Sequence, residues 1–348
     1  MRICVLSERL RRPFDEGIKN VAVGLIRALA ANHDVLALTC GGLDDAELGI
    51  RNVDANRLFL NAELRSTVRR FAPQVVVYVP TACGTVFSFI RARVLRFYGR
   101  GAWTALVTLQ PRPYTVWGKR LVGCLAPDWV LAQSKRTVDL LSSLGCRTAL
   151  LPAAVDTQRF RPASPNERAA LRGKYGIPAG ATVVVHVGHL KGKRNLACLA
   201  SLRSAGDYYP LVVGSTSTTQ EVSLKQALRG EGVAVIDTYV AGIEDIYRLS
   251  DVYVFLAKED TAAIEVPLSV LEAMACNLRV VCTPFGGLPD FFGEGDGLYY
   301  LDERSQLQDA IVTAVSAPCA TREMVGARTW SVAAQAVVDL LQVSEEPL

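Results

Sequence analysis

Two carboxylates, Glu265 and Glu272, stand seven residues apart in the stretch AAIEVPLSVLEAMACNLRVVCTP. On an unbroken helix that spacing would set them about 20° apart on one face. Pro267 interrupts the pattern, because proline suits the first helical position and holds the preceding Val266 extended. Glu265 is therefore expected in a loop and Glu272 in the second turn of the helix that follows. The first amides of that helix, at Leu268 and Ser269, have no carbonyl one turn back and can receive an anion. Glu272 lies within the apolar run VLEAMA, where a carboxylate needs a hydroxyl or cationic partner. The plainer alternative makes Glu265 a partner of the helix dipole and Glu272 a solvated residue.

Cationic donors gather in a second stretch, HVGHLKGKRNL, where a β-branched run ends in a loop carrying His189, Lys191, Lys193 and Arg194. Such a group suits a diphosphate, although a solvated basic loop would look the same. A third candidate is PFDEGIKN, in which Gly17 opens a helix and allows close backbone approach to a phosphate or carboxylate; simple turn geometry is the alternative. Other chemistries find little support. The three histidines, His33, His186 and His189, offer no metal-ligand spacing, so no metal is expected. There is no G-x-S-x-G elbow, no Walker loop and no basic-aromatic pattern for nucleic acid.

The elements that must position these residues follow from the rest of the chain. Its 348 residues suit two domains better than one core. RICVLS, DVLALTC, VVVYVP, WTALVTLQ, WVLAQS and TALLPA read as strands in the first half; TVVVHVGH, YPLVVGS, VAVIDTY, VYVFLAK, RVVCTP and GLYYLD do so in the second. Amphipathic segments between them make this an α/β chain of two doubly wound, Rossmann-like domains with parallel sheets. Ligands in such folds collect at the carboxyl ends of the strands, so two facing domains would share a cleft. Residues 1–161 and 162–327 are the expected domains, with 159–180 as a linker rich in Pro, Gly and charge, and a last helix over about 328–348.

Charge divides unevenly between these halves. Residues 1–161 carry 23 Lys and Arg against 12 Asp and Glu, a net of +11, whereas residues 162–348 carry 15 against 22, a net of −7. The first half is thus expected to face something anionic, either a phosphate-bearing ligand or an acidic membrane, unless its arginines are merely solvated. Arg91, Arg93, Arg96 and Arg100, following the apolar TVFSFI, suggest peripheral contact with an anionic membrane face or, again, a solvated helix face. The uncharged run from Ala72 to Ile90 has the length of a membrane span, but Gln74, Pro80, Thr81 and Gly84 in it favour a strand, a turn and a new helix. Nine scattered cysteines without C-x-x-C spacing, and an apolar start too brief for a signal peptide, point to a reducing cytoplasm.

In chain order, the glycine loop at Gly17, VGHLKGKRNL, IEDIYRLSDVYVFLAKED and PLSVLEAMACNLRVVCTPFGGLPD resemble the retaining glycosyltransferases of family four. The resemblance extends over nearly the whole chain and implies the GT-B architecture, in which the final helix returns to the first domain. It implies a nucleoside-diphosphate sugar as donor substrate, no bound metal or other cofactor, and an acceptor hydroxyl on a sugar, a lipid-linked or a cell-surface glycan precursor. Glu272 matches the family's second motif glutamate, which accepts hydrogen bonds from the nucleotide ribose. The first motif glutamate falls on Ile264, one position before Glu265. His189 stands where the family usually has an arginine, Arg194 where it has a lysine, and Gln110 near the place of a histidine. The resemblance thus assigns catalysis to Glu265, Gln110 and Arg194, and donor binding to Glu272, Lys193, His189, Leu268, Ser269 and Gly17. The altered positions also admit a GT-B protein that binds a nucleotide sugar or a partner without turnover, and the shared architecture admits a nucleotide-sugar 2-epimerase.

Overall fold

Runs such as VVVYV and VYVF are buried along their whole length, as strands must be when helices cover both faces of a sheet. The computed structural model describes residues 1–81, 83–204, 206–257, 259–301 and 307–342. It divides into two units, residues 1–153 together with the chain from Trp330 onward, and residues 154–329. The division falls eight residues ahead of the expected 161/162. The intervening residues bond within the second unit: Arg322 donates to the carbonyls of Thr157 and Phe160, both at 3.0 Å, and Arg159 pairs with Glu244 at 2.8 Å.

The first unit contains seven strands: β1 (Arg2–Ser7), β2 (Asp34–Thr39), β3 (Ile50–Asn52), β4 (Val75–Val79), β5 (Trp103–Val107), β6 (Trp129–Ala132) and β7 (Thr148–Leu150). They lie in the order β3-β2-β1-β4-β5-β6-β7 with parallel pairing throughout. Helices α1 (Gly17–Ala30), α2 (Ala62–Phe71), α3 (Val86–Tyr98), α4 (Val116–Cys124) and α5 (Lys135–Ser143) alternate with them. Asn61, Thr85, Thr115 and Ser134 cap the last four of these helices through their side chains, satisfying amides that would otherwise be unpaired. β3 was not expected: three residues, two of them exposed, leave almost no periodic signal. The uncharged run 72–90 is a strand and the start of α3, and no helix among the described residues is long and apolar enough to cross a membrane.

The second unit opens with α6 (Pro165–Lys174), then β8 (Thr182–Gly188), β9 (Tyr208–Gly214), α7 (Val222–Gly230), β10 (Ala234–Ile236), α8 (Ile243–Leu249), β11 (Val252–Phe255), α9 (Leu268–Ala275), β12 (Arg279–Cys282), α10 (Leu288–Phe291), β13 (Leu298–Tyr300), α11 (Leu307–Ser316) and α12 (Thr321–Val325). Its strands run parallel in the order β10-β9-β8-β11-β12-β13. The expected linker is corrected here, since Pro165–Lys174, ten of its 22 residues, form α6. Ser164 and Glu167 form a capping box, and Arg172 fastens the helix to Asp251 at 2.6 Å. Lys258, Asp302 and the end of the last expected helix beyond Gln342 lie outside the described residues.

The chain returns to the first unit as α13 (Trp330–Gln342), which packs on α1. Contact is close enough that a Cβ added at Gly24 would lie 2.4 Å from the Trp330 indole. A side chain there would overlap the ring, so glycine is what brings the two helices together.

Candidate functional site

From β8 the second sheet grows outward through β9 and β10, and from β11 it grows the other way through β12 and β13. Loops leaving the carboxyl ends of β8 and β11 therefore diverge, and ligands bind where neighbouring loops part in this way. His189, Lys193 and Arg194 lie on the loop after β8; Glu265, Leu268, Ser269 and Glu272 lie on the loop after β11 and on α9. Seven of the nine predicted residues thus gather at one switch point. Gly17, at the start of α1, and Gln110, beyond β5, belong to the first unit.

Glu272 sits in the second turn of α9 and is half-buried, and the Tyr247 hydroxyl donates to its Oε2 at 2.8 Å. Tyr247 is the hydroxyl partner that a carboxylate in VLEAMA requires. One neutral donor does not offset the desolvation, and burial pushes the carboxyl from 4.5 up to about 7. The Tyr253 hydroxyl holds Ser269 Oγ at 2.7 Å, so β11 and α8 each fix one side chain of α9. Pro267 proves to be the residue before the first turn, with ψ 120°, and not the first helical residue. No side chain caps α9, which leaves the amide end of the helix to a ligand.

Arg194 closes a single 3-10 turn, Gly192–Arg194, and is 6% exposed. Its guanidinium lies 4.9 Å from the centre of the Phe255 ring, its Nε has no hydrogen-bond partner, and among the described residues no carboxylate pairs with it. Burial draws its pKa down to about 10, so it remains a cation at neutral pH. Nearby His186 is fully buried and held neutral, its pKa lowered to about 3 by desolvation and by Arg194. A neutral ring beside the Val254 carbonyl at 2.9 Å must donate from Nδ1, which leaves Nε2 as an acceptor without a partner. A Cβ at Gly188 would stand 3.3 Å from that nitrogen and 3.6 Å from an Arg194 amine. Gly188 therefore keeps the space between two underbonded buried groups open. An isolated buried cation is costly, and a bound anion would offset the cost.

The remaining predicted residues are engaged in different ways. Lys193 is exposed and reaches Glu259 at 2.5 Å and Thr261 at 3.2 Å. Glu265 is 1% exposed, and Ile264, where the resembled family has its first glutamate, is also buried. The Glu265 carbonyl accepts from Gly287 N at 2.8 Å, and a Cβ on Gly286 would lie 2.3 Å from that carbonyl oxygen. With φ +56° at Gly286 as well, the GG of GGLPD is the backbone that clasps the Glu265 loop. His189 is half-buried at the mouth of its loop. Among the described residues no group of His, Cys, Asp and Glu could hold a metal ion.

Sequence reasoning missed a further cluster, at the switch point of the first sheet between β1 and β4. Glu8 accepts from the Tyr78 hydroxyl at 2.6 Å and from Thr81 Oγ1 at 2.8 Å, and pairs with Arg91. Glu8 is an acid within the basic loop SERLRRP, and that contrast was the available signal. The cluster also revises the picture of four solvated arginines. Arg91 turns inward to Glu8, Arg93 donates to the Cys124 carbonyl at 3.2 Å, and Arg96 pairs with Asp128 at 3.0 Å.

Residues 181–317 match the family described as "Glycosyl transferases group 1". Among curated proteins the chain is 28% identical over 212 residues to a D-inositol 3-phosphate glycosyltransferase of Geodermatophilus obscurus, covering 56% of this chain and 45% of that protein. It is 30% identical over 213 residues to a GDP-mannose-dependent alpha-(1-6)-phosphatidylinositol monomannoside mannosyltransferase of Mycobacterium tuberculosis, covering 55% of each. The chain thus spans about half the length of the curated relatives it matches. The fold is shared with Anabaena HepE, solved in complex with UDP, at a TM-score of 0.75 and 16% identity over 99% of this chain and all of that one. It is shared also with a glycosyltransferase from Rickettsia africae, at a TM-score of 0.79 and 13% identity over 99% of both chains.

Proposed function

We propose that this chain, whose residues 181–317 match the glycosyl transferases group 1 family, moves a sugar from a nucleoside-diphosphate donor to an acceptor hydroxyl with retention of configuration. The observation that carries the reading is Arg194: a buried cation without an acidic partner among the described residues, at a switch point, beside a gap that Gly188 keeps open. In this reading the donor diphosphate fills that gap, facing Arg194, Lys193 and His189, with the amides of Leu268 and Ser269 at the helix end. Glu272 takes the ribose hydroxyls as a carboxylate. As the glycosidic bond breaks, negative charge grows on the leaving phosphate, and fixed cations and amides aimed there lower the barrier without a metal. The leaving phosphate accepts the acceptor's proton on the same face; for the first unit, the resemblance gives Gln110 the acceptor hydroxyl and Gly17 a phosphate.

The names of both curated relatives contain a phosphorylated inositol, and the first half of this chain carries a net charge of +11. Both support an acceptor that bears phosphate, free or lipid-linked. A thermal-shift screen against UDP, GDP, ADP and their sugars tests the donor site. Bound nucleotide at 100 times its dissociation constant adds about 2.7 kcal/mol, and Arg194→Ala should abolish the shift. If no nucleotide shifts the wild-type protein, the proposal fails.

A second reading, nucleotide-sugar binding without turnover, draws support from the burial of both Ile264 and Glu265 at the position of the expected first glutamate. It predicts the thermal shift but neither sugar transfer nor donor hydrolysis.

A further inference from the structure

Helix α4 turns its apolar side toward solvent. Val116 is 74% exposed, Trp117 73% and Leu121 47%, whereas Gly118 and Val122 are buried. At 100° per residue, Val116, Arg120, Cys124, Trp117 and Leu121 follow one another round an arc of about 140°, and the buried pair lies opposite. Lys119 borders the arc, and the Arg120 guanidinium lies 5.5 Å from the Trp117 ring. Large apolar side chains of this kind are normally covered in a folded protein, so three on one short helix mark a contact surface.

Charge identifies what would cover it. The 64 residues from Leu64 to Pro127 contain ten Lys and Arg and no Asp or Glu. Arg91 and Arg96 are paired with acids from outside this segment, but among the described residues no acid pairs with Arg112, Lys119 or Arg120. A protein partner could match the apolar arc. A surface that also matches an extended field of one sign is an anionic bilayer, with the indole at the headgroup level and the cations among the lipid phosphates.

We propose that α4 is a peripheral docking element that inserts Val116, Trp117 and Leu121 into the interface of an anionic membrane, with Arg112, Lys119 and Arg120 on the headgroups. The membrane-facing residues are thus on α4, since two of the three arginines of α3, Arg91 and Arg96, are neutralised by Glu8 and Asp128.

Cosedimentation of the full chain with phosphatidylglycerol/phosphatidylcholine vesicles, compared with phosphatidylcholine alone, tests this. The wild type should bind the anionic vesicles with an affinity that falls as salt rises. Trp117→Ala/Leu121→Ala should bind on the order of tenfold more weakly, and Lys119→Glu/Arg120→Glu should lose the salt-sensitive part. Brominated acyl chains should quench the wild-type fluorescence, and Trp117→Phe should remove that quenching. These side chains lie on the surface, so all three variants should keep the wild-type melting temperature and nucleotide shift; docking and donor binding can then fail separately. Equal binding by the wild type and both double variants would overturn the proposal. So would absence of binding to anionic vesicles, or a concentration-dependent dimer that the variants abolish.

Discussion

Replacing Glu272 with Gln should make the protein more stable and its donor binding weaker, each with its own pH dependence. Burial raises this carboxyl from 4.5 to about 7. Between those values the folded protein holds a proton that the unfolded chain has released, so this group removes stability as pH climbs from 4.5 to 7 and no more above 7. At about 1.36 kcal/mol per unit the loss reaches at most about 3 kcal/mol at pH 8. Glutamine keeps an oxygen for the Tyr247 hydroxyl but never ionises. The variant should therefore match the wild type near pH 4 and exceed it by up to about 3 kcal/mol at pH 8, or very roughly 6 to 12 °C in Tm for a unit of this size. All four tryptophans, Trp103, Trp117, Trp129 and Trp330, lie in the first unit, so hydrogen exchange in α9 and β12 is the suitable readout. Donor affinity responds in the opposite sense. With the ribose hydroxyls on the Glu272 carboxylate, as proposed, wild-type affinity for a nucleotide sugar should fall tenfold per unit below about pH 7. The variant should be weaker by about 1.5 to 3 kcal/mol at pH 8 and flat with pH. Identical stability profiles for the two proteins between pH 5 and 8 would refute the burial argument, and unchanged donor affinity at pH 8 would refute the ribose assignment.

Other perturbations probe the surrounding loops. Arg194→Ala should cost about 3 kcal/mol of transition-state stabilisation, roughly a hundredfold in turnover at saturating donor; unchanged turnover removes Arg194 from the phosphate site. Gly188→Ala should fill the space beside His186 and Arg194 and weaken nucleotide binding in calorimetry, whereas wild-type affinity would show that the gap holds nothing. Gly286→Ala should destabilise the second unit by at least about 2 kcal/mol, because its Cβ meets the Glu265 carbonyl at 2.3 Å in a left-handed backbone conformation; denaturation monitored by far-ultraviolet circular dichroism would show it. Glu265→Gln, compared with Glu272→Gln, should leave donor affinity unchanged if Glu265 serves chiefly to hold its loop.

What could be read from the sequence depended on whether a residue's role is local or made by distant partners. All twelve expected strands exist, because β-branched runs between amphipathic segments announce themselves within a few residues. β3 and α6 escaped notice for the same reason in reverse: one is too short for a period, and the other has a weak apolar stripe, no buried residue, and a hold on Asp251 some eighty positions away. The site follows this division. Helix position and apolar surroundings singled out Glu272, and those surroundings called for a hydroxyl, yet only the fold shows that Tyr247 supplies it. In HVGHLKGKRNL, Lys193 and Arg194 look alike as neighbouring cations. Folding sends Lys193 to Glu259 at the surface and buries Arg194 against Phe255 with no acid beside it among the described residues. An exposed cation with a carboxylate beside it has much of its field already answered, whereas a buried one without an acid keeps nearly all of it for a ligand. Of the two, Arg194 is the residue on which binding of a diphosphate must depend more steeply, a difference in environment that the pair Lys-Arg does not carry in its letters.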